Sequence, residues 1–263
     1  MPNWVTNRLT IEKESIKLFK EKCFNEKGEF SFNKVLPVPG CMNIESSGSL
    51  YIREDDNVYK FIDMILKFYP DIWDVDGDPK SEEACRNFIN EFEQKVKDGG
   101  HNYTGNTGTL TSALAKTYCR KHTGYEDWYN WCIDNWGTKW DACDLYSDMV
   151  DTDGFMEFST AWAMPEYVYA KMAELGIQFR GSWADEDIGN NCGMFYTTGD
   201  GELVIQDASE LTEDTAAFSI AVQGYEDLEE YYDGYLEDDP ERYAKLVNPE
   251  REKEYKRLAE MVM

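Results

Sequence analysis

No stretch of this 263-residue chain approaches the ~18 consecutive apolar residues that a membrane-crossing helix needs. The N-terminus, MPNWVTNRLTIEKE, also lacks the basic-then-apolar order of a secretory signal. A cytoplasmic location is the expectation. Histidine is scarce: His101 and His122 are the only two, and neither is spaced from a second candidate ligand as zinc sites require. A His-based triad or nuclease is equally unsupported, and both histidines read as surface residues. The seven cysteines (Cys23, Cys41, Cys85, Cys119, Cys132, Cys143, Cys192) are odd in number, scattered, and include no CxxC pair. That excludes a clustered metal or iron–sulfur site and favours reduced, packed thiols over a disulfide framework.

Positive charge is the other shortage. Against 52 acidic residues stand 26 basic ones, a net charge of −26, which opposes direct binding to nucleic acid or to an anionic membrane. A basic protein surface or a cation is the complement. The deficit is local: residues 181–241 hold 18 Asp and Glu and no Lys, Arg or His. The same sixty-one residues contain Trp183, Phe195, Tyr196, Leu203, Ile205, Phe218 and Ile220, more apolar content than a disordered acidic tail carries. At least part of the acidity is therefore expected to be folded.

With 42% hydrophobic and 14% aromatic residues, the chain can bury a substantial core. Trp4 to Glu12 alternates as a strand, with Val5, Leu9 and Ile11 on one face and Thr6, Arg8 and Thr10 on the other. Glu14 to Phe24 follows at helical spacing through Ile16, Phe19 and Cys23, and Phe32 to Pro39 reads as an apolar extended segment. Helical patterns then run through Asn57 to Tyr69, Ser81 to Asp98 and Leu110 to Lys121. Strand signals return at Lys139 to Tyr146, Gly154 to Trp162 and Ile177 to Trp183. A hairpin follows, Cys192 to Thr198 and Glu202 to Gln206, turning at Gly199 to Gly201. Between them Pro165 to Leu175 reads as a helix with Tyr167, Val168, Met172 and Leu175 inward and Gly176 as its stop. From Tyr225 onward the pattern is helical again, broken by Pro240 and Pro249.

The expected class is α+β: an antiparallel sheet with helices on one face, a helical insertion, and an acidic, partly helical C-terminal region. The expected organisation is a core from residues 1–39 and 124–206, an insertion at 40–123, and a C-terminal region at 207–263.

Several motifs invite chemistry. Tyr125 to Asp144, YEDWYNWCIDNWGTKWDACD, places Trp128, Trp131, Trp136 and Trp140 within thirteen residues. Without interleaved bases, core packing on a helix ending at Gly137 is favoured over a stacking platform for nucleobases. Asp71, Asp74, Asp76 and Asp78 offer oxygen ligands for a divalent cation, but the spacing is not that of an EF-hand, because counting from Asp74 puts Gly77 at position four instead of six and Cys85 where the bidentate Glu belongs. A solvated turn is favoured, and no cofactor is expected. GNTGTLTSALAK, from Gly105, could present backbone N–H groups to an anion with help from Thr109, Thr111 and Ser112, but it lacks the lysine placement of a phosphate-binding loop, and a plain loop with a capped helix is favoured. Lys139, Asp141, Asp144 and Asp148 form a charged row in which Lys139 and Asp141, on one strand face, suggest a structural ion pair.

MPNWVTNRLTI (Met1 to Ile11), FSFNKVLPVP (Phe30 to Pro39), WCIDNWGTKWDA (Trp131 to Ala142) and FMEFSTAWAMP (Phe155 to Pro165) occur in this order. Together they resemble the YubB-type ferredoxin-like family of phage and plasmid proteins, over the first strand and roughly Trp128 to Gln206. The resemblance implies a ferredoxin-like α+β fold and a mobile-element origin, hence a host-cell cytoplasm, and implies no activity.

The leading expectation is a non-enzymatic, acidic counter-defence protein. It would inhibit a host defence nucleoprotein, as an anti-CRISPR or anti-restriction protein does, by DNA mimicry. Its partner would be the basic surface of a nucleic-acid-binding protein. The contact residues would be Glu226, Asp227, Glu229, Glu230, Asp233, Glu237, Asp238 and Asp239, joined by Tyr231, Tyr232 and Tyr235. On a helix these eight carboxylates would recur every ~2.6 Å, near the ~1.7 Å charge spacing of duplex DNA. The plain alternative is that dense acidity only keeps the protein soluble. Two further readings stay open: a metal-dependent enzyme acting on nucleotides or nucleic acid, using Asp71 to Asp78 or the Lys139 to Asp148 row, and an inhibitor acting through its helical insertion or through homo-oligomer formation.

Overall fold

The computed structural model of the chain describes residues 3–42, 83–84, 86–87, 90–91, 116, 119–187, 189–207 and 215–223. The chain divides into two compact units, Met1–Pro37 with Ile133–Met263, and Val38–Cys132.

The first unit is built on a six-stranded antiparallel sheet. Its strands are β1 (Trp4–Ile11), β2 (Cys143–Tyr146), β3 (Phe155–Ala161), β4 (Phe179–Asp185), β5 (Cys192–Thr197) and β6 (Leu203–Asp207), in spatial order β2-β3-β1-β4-β5-β6. The helices are α1 (Ile16–Cys23), α2 (Phe32–Val35), α3 (Trp128–Trp136, crossing the boundary between units), α4 (Glu166–Glu174) and α5 (Thr215–Gln223). β1, α1, β2, β3, α4 and β4 follow the β-α-β-β-α-β order of ferredoxin-like domains, and β5 and β6 widen the sheet at one edge.

β1 is central because every second residue is suited to burial. Val5, Asn7, Leu9 and Ile11 are almost wholly enclosed, and the register puts Met156, Phe158 and Thr160 of β3 and Phe179 and Trp183 of β4 on the same face. Phe19 and Cys23 of α1 and Val168, Tyr169, Met172 and Ala173 of α4 bury against that face. The inward tyrosine of α4 is thus Tyr169; Tyr167, expected inward, is 47% exposed. The helix turns this way because the Tyr169 hydroxyl donates to Asn7 Oδ1 at 2.9 Å, while Asn7 Nδ2 donates to Thr160 Oγ1 at 2.9 Å. These groups satisfy one another inside the core, and the Tyr169 ring stacks on Phe195 with centroids 4.4 Å apart.

The expected extended run from Phe32 is instead the single helical turn α2. Its first amide, Phe32 N, donates to Asp141 Oδ1 at 2.6 Å, and the Ser31 hydroxyl donates to Asp141 Oδ2 at 2.7 Å. The cap comes from 109 residues away, beyond what a local pattern encodes. The same contacts hold Asp141 outside the ladder, so the strand expected from Lys139 begins only at Cys143.

The second face of the sheet carries α5. Arg8 Nη1 donates to Ala221 O at 2.9 Å, Gly189 N donates to Ser219 Oγ at 3.1 Å, and Ser182, Ala184 and Cys192 are buried beneath. The sheet is therefore covered by α1 and α4 on one face and by α5 on part of the other.

In the second unit the described residues form a small cluster. Cys41, Met42 and Cys119 are buried, with Val38, Tyr125, Trp128 and Trp131 packed around them.

Candidate functional site

The register brings the start of β1 beside the ends of β3 and β4, pairing Trp4 with Ala161 and Val5 with Asp185. Asp185 is 5% exposed and works as a clasp at this end. Its Oδ1 accepts from Asp187 N at 2.8 Å and Asn3 Nδ2 at 3.3 Å, and its Oδ2 accepts from Asn191 Nδ2 at 3.2 Å. Gln223 Nε2 of α5 donates to its carbonyl oxygen. A buried carboxylate held by amide donors is satisfied without an ion pair.

Asn191 extends the clasp to Trp162, donating through Nδ2 to Trp162 O at 2.9 Å, while Trp162 N donates to Asn3 O at 2.9 Å. Pinned from both sides, Trp162 sits at φ 71°. For a bulky residue this left-handed conformation costs about 1–3 kcal/mol and persists only where its surroundings enforce it. The strain has a visible result: the indole projects outward and is 44% exposed.

Lys139 enters the site from the loop after α3. Its Nζ lies 3.7 Å from the Trp140 ring centroid and 3.9 Å from that of Trp162. Trp140, 37% exposed, leans on Trp4 with centroids 5.9 Å apart. Beside them Glu186 N donates to Trp4 O at 2.9 Å, and the Glu186 and Asp187 residues are exposed. The arrangement is an ammonium between two indole faces, next to the start of an exposed acidic turn. It holds a cation between two aromatic faces.

Residues 135–236 match the family model described as "Ferredoxin-like domain in Api92-like protein". The match spans β2 to β6, α5, and every member of the aromatic site except Trp4. No curated protein and no solved structure matches the chain.

Of the residues singled out in the sequence, Glu226, Asp227, Glu229, Glu230, Tyr231, Tyr232, Asp233, Tyr235, Glu237, Asp238 and Asp239 lie outside the described residues, as do Asp71, Asp74, Asp76, Asp78, His101 and the Gly105 segment. His122 is exposed, as expected. Among the described residues no three His, Cys, Asp or Glu side chains come together to hold a metal ion. The Lys139 to Asp148 row is not a unit: Asp141 caps α2, Lys139 stands between tryptophans, and Asp144 and Asp148 face solvent. The expected Lys139 to Asp141 ion pair gives way to these separate roles. Among the described residues no helix is long and apolar enough to cross a membrane.

The tryptophan motif divides. Trp128 and Trp131 pack in the second unit, and Trp136 is buried in the first, donating through Nε1 to Leu36 O at 2.8 Å. Core packing describes these three and not Trp140, whose chain has passed the helix stop at Gly137, φ 88°. Sequence reasoning missed Trp162 as a site residue; the only local signal is a large aromatic between small residues just before Met164-Pro165. At the other end of the sheet a groove of about 530 Å³ is lined by Glu12, Glu14, Gln178, Arg180, Tyr196 and Thr197. Arg180 and Glu12 bridge it at 3.4 Å.

Proposed function

We propose that this protein is an acidic binding protein that occupies a basic, nucleic-acid-binding surface of a partner, acting as a mobile-element inhibitor of a host defence nucleoprotein. The observation that carries the reading is the charge map: 18 carboxylates and no Lys, Arg or His between residues 181 and 241. Such a field steers a basic partner and repels nucleic acid. The ferredoxin-like sheet supports the reading as a scaffold, since β4, β5, β6 and their turns carry residues 181–207 of the segment and a third of its carboxylates, at Asp185, Glu186, Asp187, Asp200, Glu202 and Asp207. Eight of the carboxylates fall between Glu226 and Asp239, alongside Tyr231, Tyr232 and Tyr235, which would turn electrostatic steering into affinity.

The test is capture of partners from host lysate by the whole chain at about 50 and about 500 mM NaCl, the upper concentration compressing the Debye length to a few ångströms. A nucleic-acid-binding protein retained at low salt and released at high salt is expected. Changing the eight acids from Glu226 to Asp239 to Gln and Asn should lower its retention at least about tenfold, as removal of several favourable charge contacts implies. Retention unaffected by both salt and neutralisation overturns the reading.

A further inference from the structure

The described surface that the charge map does not explain is the indole pair around Lys139. Tryptophan faces attract cations through the ring quadrupole, and an ammonium within ~6 Å of a centroid already gains from it. Here one ammonium lies well inside that distance from two indoles at once, 3.7 Å and 3.9 Å. Both rings remain partly open to solvent, at 37% and 44%. Contacts besides Lys139 hold both residues: the Trp162 backbone is bonded to Asn3 and Asn191, and the Trp140 ring leans on Trp4. The occupant is the end of a flexible four-carbon stem.

We propose that Trp140 and Trp162 form an aromatic clamp for an arginine side chain of a partner protein, and that Lys139 fills the clamp in the free protein and yields it on binding. A planar guanidinium stacks on indole faces and is more weakly hydrated than an ammonium, so it is the better occupant of the same slot. Charge complementarity points the same way. Trp4, which packs on Trp140, accepts the Glu186 amide through its carbonyl, so the slot adjoins the acidic, base-free segment, whose field favours a cationic residue arriving from outside. The displaced Lys139 ammonium keeps its charge and returns to water. This inference rests on the basic partner of the preceding reading and supplies a specific contact for it.

The probe is argininamide, titrated into ¹⁵N-labelled whole chain while the indole N–H signals of Trp140 and Trp162 are followed. Lys139→Ala removes the internal competitor, and argininamide should bind this variant about two- to fivefold more tightly than the unaltered protein, the range corresponding to one exposed cation–π contact. Lys139→Met keeps the slot filled by an uncharged chain and should show no such gain. Adding Trp162→Ala to Lys139→Ala should abolish the saturable shift, with the backbone amide signals of β1 and α4 reporting that the fold is intact. Equal affinity for Lys139→Ala and the unaltered protein, or a response surviving Trp162→Ala, overturns the clamp. Loss of partner capture on neutralising Glu226 to Asp239 with no argininamide response would overturn the clamp alone, and an argininamide response without salt-sensitive capture would overturn the acidic-surface reading alone.

Discussion

Cys23 ends α1 with no solvent exposure, and burial alone pushes its thiol up to about 12 from an ordinary value near 9. In the unfolded chain the thiol ionises near its ordinary value, so between about pH 9 and 12 unfolding releases a proton that the folded state retains. Stability from this residue is therefore complete below about pH 9 and declines above it, by about 1.4 kcal/mol for each pH unit until the folded value is reached. Urea unfolding at half-unit steps from about pH 8 to 11 should show that decline, and Cys23→Ala should make it shallower, the remainder belonging to Tyr169 and the other buried thiols, while lowering stability across the whole range through lost packing. A slope unchanged in Cys23→Ala would assign the alkaline loss to other groups. Tyr169 is pushed in the same direction by complete burial, and its bond to Asn7 requires the protonated hydroxyl. The polar centre of the core is thus built from groups that stay neutral at any ordinary pH.

Two glycines in the strands decide how closely the elements pack. A Cβ on Gly181 of β4 would stand 2.1 Å from Arg8 O and 2.6 Å from Phe195 Cζ, and one on Gly193 of β5 would stand 2.3 Å from Trp183 Cη2. The large rings of this face fit because their cross-strand partners have no side chain: Gly181 faces Phe195, and Gly193 faces Trp183. Gly181→Ala should force β1 and β4 apart and cost about 3 kcal/mol or more in a urea titration. Gly199→Ala, in the β5–β6 turn with nothing within 4 Å, should stay within about 0.5 kcal/mol. Near-equal effects would show that the sheet relaxes around the added methyl.

Much of this architecture was legible in the sequence. Strand signals located all six strands, by period-two alternation in β1 and by the Gly199 to Gly201 turn in the β5–β6 hairpin, and Gly137 and Gly176 located helix stops, since these signals are local. What was not legible depended on distant partners. Asp141 looks like the mate of Lys139 until Ser31 and Phe32 claim it. Tyr167 and Tyr169 compete for the inward face of α4, and Asn7 on β1 settles which wins. Thr215 to Gln223 is mostly apolar, with Ser219 and Gln223 one turn apart, and its place over Ser182, Ala184 and Cys192 follows from bonds to Arg8, Gly189 and Asp185 that no local pattern names. Likewise the clamp joins Lys139 and Trp140 to Trp162 through the β1–β3 register, which no spacing rule connects.

At the scale of the whole molecule, a net charge of −26 sets stability and binding against each other. Self-repulsion among carboxylates favours the unfolded chain, where they lie farther apart, while the same field attracts a basic partner. Salt should therefore act with opposite signs on the two properties. Raising NaCl from about 20 to about 300 mM shortens the Debye length from about 20 Å to about 6 Å, which screens repulsion between exposed carboxylates spread over the surface. It screens less the ion pairs with one sheltered partner, Arg8 with Glu157 at 2.6 Å and Arg120 with Glu126 at 2.7 Å, whose arginines are 14% and 12% exposed. Repulsion should thus lose more than attraction, and the Tm should rise by several degrees across that range. The chain with Glu226 to Asp239 neutralised should start from a higher Tm at low salt and gain less on adding NaCl, because part of the repulsion has already gone. A Tm that falls with salt would mean that ion pairing outweighs repulsion in the folded state. The acidity would then be compensated internally, and less of it would remain to draw in a basic surface.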